Sequence, residues 1–106
     1  MKYALPMLAV LVAFSAPAGA QSPNQQYKSY VDAVEAAKLC RDLPSDQMTE
    51  DKLSRAIATR MQGEVSAGDK LQIMTASRDQ MKAAGCGSAA ATEALARFDR
   101  ELAGSL

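Results

Sequence analysis

The sequence predicts an all-α fold, a small bundle of about four short antiparallel helices stapled by one disulfide. Apolar residues recur at spacings of three and four, which is the period of a helix, and no segment alternates as a strand does. Alanine, glutamine, lysine, glutamate and methionine, all reasonable helix formers, are abundant. Short stretches of turn-forming residues separate the periodic segments, and the chain holds only two cysteines.

The N-terminal segment, residues 1–20, has the pattern of a secretory signal peptide. Lys2 supplies a positive charge, an apolar run follows over 3–14, and small residues end the segment at Ala20. We therefore predict signal cleavage between Ala20 and Gln21, which leaves 86 residues (106 − 20) in the periplasm or outside the cell. An uncleaved membrane anchor is less favoured, because the segment holds two prolines and a spanning helix needs about 20 apolar residues.

After cleavage, a flexible N-terminal lead-in over 21–26 is expected to precede a single helical domain over 27–106. The first helix carries an apolar stripe that begins at Tyr27, and Asn24 is a suitable N-cap for it. Cys40 lies near the predicted end of this helix, at the edge of the stripe.

The second predicted helix follows a break over 42–46, where proline and turn-forming residues cluster. Thr49 is its expected N-cap, and Met48 and Leu53 hold the two positions of a hydrophobic staple. Its predicted buried face consists of apolar residues at helical spacing, namely Leu53, Ala56, Ile57, Met61 and Val65.

The last two helices flank a glycine-rich turn over 85–87. The third should start near Asp69, and its apolar residues spread over more than one face, so we expect it to be the most enclosed helix. The fourth should be capped by Ser88 and end at Gly104. Its predicted stripe is Ala91, Leu95, Phe98 and Leu102.

The two cysteines, Cys40 and Cys86, fit a structural disulfide. An even number of cysteines in an exported chain most simply forms bonds within that chain. A redox site of the Cys-x-x-Cys type needs much closer spacing, and a structural zinc site needs four ligands. Free or intermolecular thiols remain the alternative to the disulfide.

No metal or cofactor site is predicted. The methionines Met48, Met61, Met74 and Met81 are better explained as core-filling residues than as copper ligands. The acidic residues Asp42, Asp46, Glu50 and Asp51 lack the spacing of a calcium-binding EF-hand loop and suit a capped helix start instead.

The composition also argues against catalysis and against nucleic-acid binding. The chain has no histidine, which excludes the commonest triads and imidazole metal ligands, and no other catalytic signature is present. Its net charge is zero, and the basic residues alternate with acidic ones along the sequence. These dispersed basic residues include Arg55, Arg60, Arg78, Lys82, Arg97 and Arg100. We therefore expect no enzyme, no nucleic-acid partner and no membrane insertion after cleavage.

The remaining function classes are binding classes. We expect foremost a protein that acts through protein–protein interaction, such as an inhibitor, an immunity factor or an accessory subunit, with its partner and binding surface unknown. A carrier of a small ligand or metal is one alternative, and a homodimer would bury more apolar surface than a small alanine-rich monomer.

A second alternative comes from the layout of the chain. A small exported all-helical protein with one disulfide between distant helical segments resembles the acid-stress chaperones of the HdeA type. The resemblance covers the arrangement of the helices and cysteines, since residues 38–42 do not contain that family's Cys-Glu-Asp-Phe run. It implies a periplasmic stress chaperone that opens at low pH.

Overall fold

The computed structural model describes residues 21–106, so the predicted signal peptide and Ala20 lie outside the described residues. The described chain contains four α-helices and no strand. They are α1 (Pro23–Arg41), α2 (Gln47–Arg60), α3 (Ala67–Ala84) and α4 (Ala89–Arg97), and α4 continues as a π-helical turn, Phe98–Leu102, and a 3-10 turn, Ala103–Ser105. The predicted all-α bundle of four short helices is confirmed.

Side-chain contacts at their ends fix the directions of α1 and α2. Lys38, near the end of α1, donates to Glu50 at the start of α2 over 2.7 Å. At the other end, the Gln26 amide donates to the carbonyl of Arg60, the last residue of α2, over 3.0 Å. Helices α1 and α2 are therefore antiparallel.

Helix α3 runs in the same direction as α1. Asn24 in the first turn of α1 bonds to Asp69 in the first turn of α3, and Cys40 near the end of α1 is bonded to Cys86 just after α3. Helix α4 then runs back along α1, since Cys86 before α4 is bonded to Cys40, whereas Glu101 after α4 accepts from the Tyr30 hydroxyl over 2.8 Å. Successive helices thus alternate in direction, as predicted from their short connections.

Helix α1 is the centre of the bundle. Seven of its residues are buried, namely Tyr30, Val31, Ala33, Val34, Glu35, Ala36 and Ala37. The three alanines among them have no exposed surface. One core cluster joins α1 to α2 and to the end of the chain and consists of Tyr30, Ala33, Val34, Ala37, Leu53, Ala56, Ile57, Phe98 and Leu102. A second joins it to α3 and α4 and consists of Ala36, Met81, Ala91 and Ala94. Helices α2 and α3 therefore bury their side chains in different clusters.

The prediction that the third helix is the most enclosed is wrong. Helix α3 buries only Ser77 and Met81, while Leu71 exposes 66% of its surface and Met74 exposes 36%. It packs against α1 and α4, and no further layer covers its outer surface in the described chain. Some of the apolar residues on the several faces of α3 therefore lie on the protein surface instead of in the core.

The start of α1 also differs from the prediction. Ser22 is the N-cap, and it exchanges hydrogen bonds with Gln25 in a capping box. Helix α1 consequently begins at Pro23, and most of the predicted lead-in over 21–26 is the first turn of this helix rather than a loose segment. Asn24 lies within that turn and caps nothing.

Two further caps lie three residues before the predicted ones. Asp46 caps α2 and accepts from the backbone N–H of Thr49, and Ser66 caps α3 and accepts from the backbone N–H of Asp69. The predicted cap is in each case the residue that donates to the true cap. Ser88 caps α4 as predicted.

The buried face predicted for the second helix is largely confirmed. Leu53, Ala56, Ile57 and Val65 are buried, and Met61 is half-buried. Met48 exposes 67% of its surface, so the predicted staple between Met48 and Leu53 is wrong. The earlier cap at Asp46 shifts the staple positions away from this pair.

The fourth helix buries most of its predicted stripe but ends differently. Ala91, Phe98 and Leu102 are buried and Leu95 is half-buried. The α-helical hydrogen bonding ends at Arg97, and Gly104 lies inside the terminal 3-10 turn instead of ending the helix.

The predicted disulfide between Cys40 and Cys86 is present, with the two Cα atoms 5.7 Å apart. It ties the end of α1 to the turn between α3 and α4. Alanine-rich helix faces pack closely but bury little area per residue, so this small core benefits from a covalent cross-link.

We expect the double variant Cys40→Ala/Cys86→Ala to lose about 4 kcal/mol of unfolding free energy, because the bond restricts a long loop in the unfolded chain. Urea unfolding of the oxidised protein and of the double variant measures this difference. The reduced wild-type protein is the control and should match the variant. A loss below about 1 kcal/mol would contradict the prediction.

Candidate interaction groove

A cavity of about 520 Å³ lies between the start of α1, the second half of α2 and the α2–α3 connection. Tyr27 forms its wall on α1, and Ile57, Met61 and Val65 supply apolar surface from α2 and the connection. Lys70 closes it on the side of α3. Its size falls within the range of natural ligand pockets.

A second cavity of about 210 Å³ lies between the later parts of α1 and α3. Leu39 and Met81 provide its apolar surface. Its charged lining residues are Glu35, Lys38, Arg78 and Lys82. The partly exposed Leu39 leaves this apolar surface accessible to a partner.

Helical periodicity places the two cavities on one side of the α1–α3 pair. Tyr27 lines the first cavity and Lys38 the second, and their separation of eleven residues, close to three full turns, keeps them on one face of α1, about 17 Å apart. On α3, Lys70 and Met81 lie on one face by the same argument, and Met74 lies between them. We call this surface, the lining of both cavities together with Met74, the groove.

The floor of the groove is apolar around a half-buried tyrosine. The Lys70 ammonium lies 5.8 Å from the centre of the Tyr27 ring, within range of a cation–π contact. Burial raises the pKa of the Tyr27 hydroxyl, and no hydrogen bond among residues 21–106 uses that hydroxyl. A bound partner could therefore accept a hydrogen bond from it.

The lining of the groove is positively charged, whereas the rest of the described chain is negative. Five lining residues are basic and two, Glu35 and Glu64, are acidic; the basic ones are Lys38, Arg55, Lys70, Arg78 and Lys82. The other residues in 21–106 comprise six basic and ten acidic side chains (11 − 5 and 12 − 2). Folding thus gathers basic residues that are scattered along the sequence.

The buried carboxylate of Glu35 engages its neighbours only at long range. Its oxygens lie 3.9 Å from the Lys38 ammonium and 3.7 Å from the Arg78 guanidinium. Lys38 is also bound to Glu50, whereas the Arg78 side chain is 50% exposed and Lys82 has no ion pair in the described chain. The Arg78 guanidinium and the Lys82 ammonium therefore have N–H groups available to donate hydrogen bonds to a bound partner.

The lower end of the groove is held in place by the α2–α3 connection. The Gln26 side chain donates to the Arg60 carbonyl and accepts from the Gln62 backbone N–H, both over 3.0 Å. Gly63 approaches α1 so closely that a Cβ atom there would stand 2.6 Å from Cγ of Pro23. The cavity wall is thus formed before any partner binds.

In the described part of the chain, the acidic residues weighed earlier as calcium ligands are not gathered into one cluster. Across residues 21–106, no three cysteine or acidic side chains gather closely enough to hold a metal ion. Of the acidic residues near the second helix, Asp46 caps α2 and Glu50 is paired with Lys38. The helices of this part of the chain are also too polar or too short to cross a membrane.

Comparison of the chain with known protein families, curated proteins and solved structures finds no match.

We expect Gly63→Ala to destabilise the protein by about 1–3 kcal/mol, because the added methyl group clashes with Pro23. Gly68→Ala is the matched control, since nothing lies within 4 Å of that position in the first turn of α3. The control should be stabilised by about 0.5–1 kcal/mol through helix propensity. Thermal or urea unfolding compares the two variants, and equal effects would show that the contact with Pro23 is unimportant.

Proposed function

We propose that this chain is a small exported protein that binds a protein partner in the groove, as an inhibitor, an immunity factor or an accessory subunit. The observation that carries the proposal is a preformed groove with an apolar floor and a positive rim on an otherwise acidic chain. Surfaces that combine apolar contact with unpaired charge are typical of recognition sites.

Exposed apolar residues of α3 support the proposal. Leu71 and Met74 are three residues apart on α3, and both are large side chains that remain in contact with water. Single exposed apolar residues are common on protein surfaces, but Met74 lies in the groove and Leu71 directly follows the lining residue Lys70. Their burial under a partner would contribute to binding.

The scaffold also suits a binding protein. The disulfide and the helix caps hold the backbone in one arrangement, so little conformational entropy is lost on binding. The predicted signal peptide assigns this binding to the periplasm or the cell exterior.

Photo-crosslinking in the cells that naturally make the protein tests this function. We expect Met74→p-benzoylphenylalanine to give one discrete crosslinked product, because Met74 lies in the groove. The same probe at the exposed Glu93 of α4 is the control and should give none. Excess wild-type protein should abolish the product, whereas the Leu71→Glu variant should compete poorly. Equal products from both probes, or none from Met74, would overturn the proposal.

The second candidate function is the acid-stress chaperone, and two carboxylates favour it. Hydrogen bonds from the backbone and hydroxyl of Thr49 lower the pKa of Asp46, and the Arg41 guanidinium lowers the pKa of Asp99. A folded-state pKa below the unfolded value gives stability that is complete above the unfolded pKa of about 3.9. That stability is lost as the pH falls through the folded-state pKa, so acid weakens both the start of α2 and the end of the chain.

We expect the double variant Asp46→Asn/Asp99→Asn to lose less stability than the wild type between about pH 5 and about pH 2, because neither position then titrates. Asparagine still caps a helix, so the start of α2 is retained. Asp79→Asn, an exposed change on α3, is the control and should follow the wild type. Urea unfolding across this pH range measures the difference, and parallel curves for all three proteins would contradict the prediction. Failure of the acid-treated wild type to suppress client aggregation would exclude the chaperone.

A further inference from the structure

We propose that the partner segment bound in the groove is an acidic amphipathic helix, with an apolar stripe on the floor of the groove and carboxylates against its rim. The inference rests on the proposed function and adds the chemistry of the occupant. Such a segment would use the helix-in-groove mode, in which apolar side chains at helical spacing serve as anchors.

Charge complementarity selects an acidic segment. The groove lining has three more basic than acidic residues, whereas the remaining side chains of residues 21–106 have four more acidic than basic ones. An acidic helix is therefore attracted to the groove and repelled by the other surfaces, which directs the encounter and suppresses alternative binding positions.

Arg78 and Lys82 define where the carboxylates bind. They are four residues apart on α3, so their charges lie side by side along the helix, roughly 6 Å apart. Two partner carboxylates one helical turn apart match this spacing. Arg78 can turn from its 3.7 Å approach to Glu35 toward a partner carboxylate without breaking a short hydrogen bond.

The length of the groove sets the length of the occupant. From Lys70 to Lys82 the groove follows α3 for about 18 Å, which corresponds to about three turns of a partner helix. The first cavity, beside Tyr27 and Met61, accepts one large apolar anchor, and the second, beside Leu39, accepts another.

An amphipathic helix can cover the apolar floor of the groove and pair with its basic rim, whereas a nucleic acid or another plain polyanion can pair only with the basic rim. The phosphate backbone offers no apolar stripe to cover Met61 and Leu39, so this surface would stay in contact with water. Binding by a polyanion alone would also require more than the few unpaired basic residues of this groove.

Fluorescence anisotropy with a designed helical peptide of about 18 residues tests the occupant. The acidic peptide carries leucine at helical spacing and glutamates one turn apart; in the matched peptide glutamine replaces every glutamate. We expect the acidic peptide to bind roughly 10-fold more tightly, with an affinity that falls as salt is raised. Equal binding of the two peptides, equal binding of polyglutamate or DNA, or no binding would overturn the inference.

Protein variants locate the bound peptide. Arg78→Gln/Lys82→Gln should weaken binding of the acidic peptide by about 10-fold and leave the glutamine peptide unaffected. Lys52→Gln/Arg100→Gln, which removes two basic residues outside the groove lining, is the matched control and should change little. Circular dichroism confirms that both variants remain folded, and equal losses for the two variants would place the peptide elsewhere. A groove-specific crosslink to a partner without acidic helices would leave the proposed function intact while overturning this inference.

Discussion

Close packing around α1 determines the arrangement of the other helices. Ala33, Ala36 and Ala37 have no exposed surface, and their small side chains let neighbouring helices approach the α1 backbone on several sides. Such contacts bury little apolar area per residue, so the free energy gained from the core is small for a domain of this size. The disulfide and the four side-chain helix caps add stability that this small core does not provide.

The groove follows from the same arrangement. Because α2 and α3 bury their side chains in separate clusters on α1, the space between them is not filled by apolar side chains. The connection after α2, fixed by Gln26 and by the close contact of Gly63 with Pro23, closes the lower end of that space. A cavity that arises from the helix arrangement itself is present in the free protein and needs no rearrangement to receive a side chain.

The fold could be predicted from the sequence because periodicity and turn residues act locally. The predicted caps of α2 and α3 lie about one turn too late, since Ser66 and Asp69, like Asp46 and Thr49, are both acceptable cap residues and only the backbone geometry distinguishes them. The enclosure of α3 and the positive groove could not be predicted, because each depends on which helices are neighbours. Arg78 and Lys38 are far apart in sequence and adjacent only in the folded chain.

The disulfide also determines how the chain responds to cleavage of its backbone. The bond between Cys40 and Cys86 closes a covalent ring that contains all of α2 and α3, the connection before α2 and the connection between the two helices. The two connections that contain the exposed residues Ser45 and Gln62 both lie inside this ring. A single cut at either place therefore opens the ring without separating the two fragments, and the nicked molecule retains every helix on one covalently connected chain.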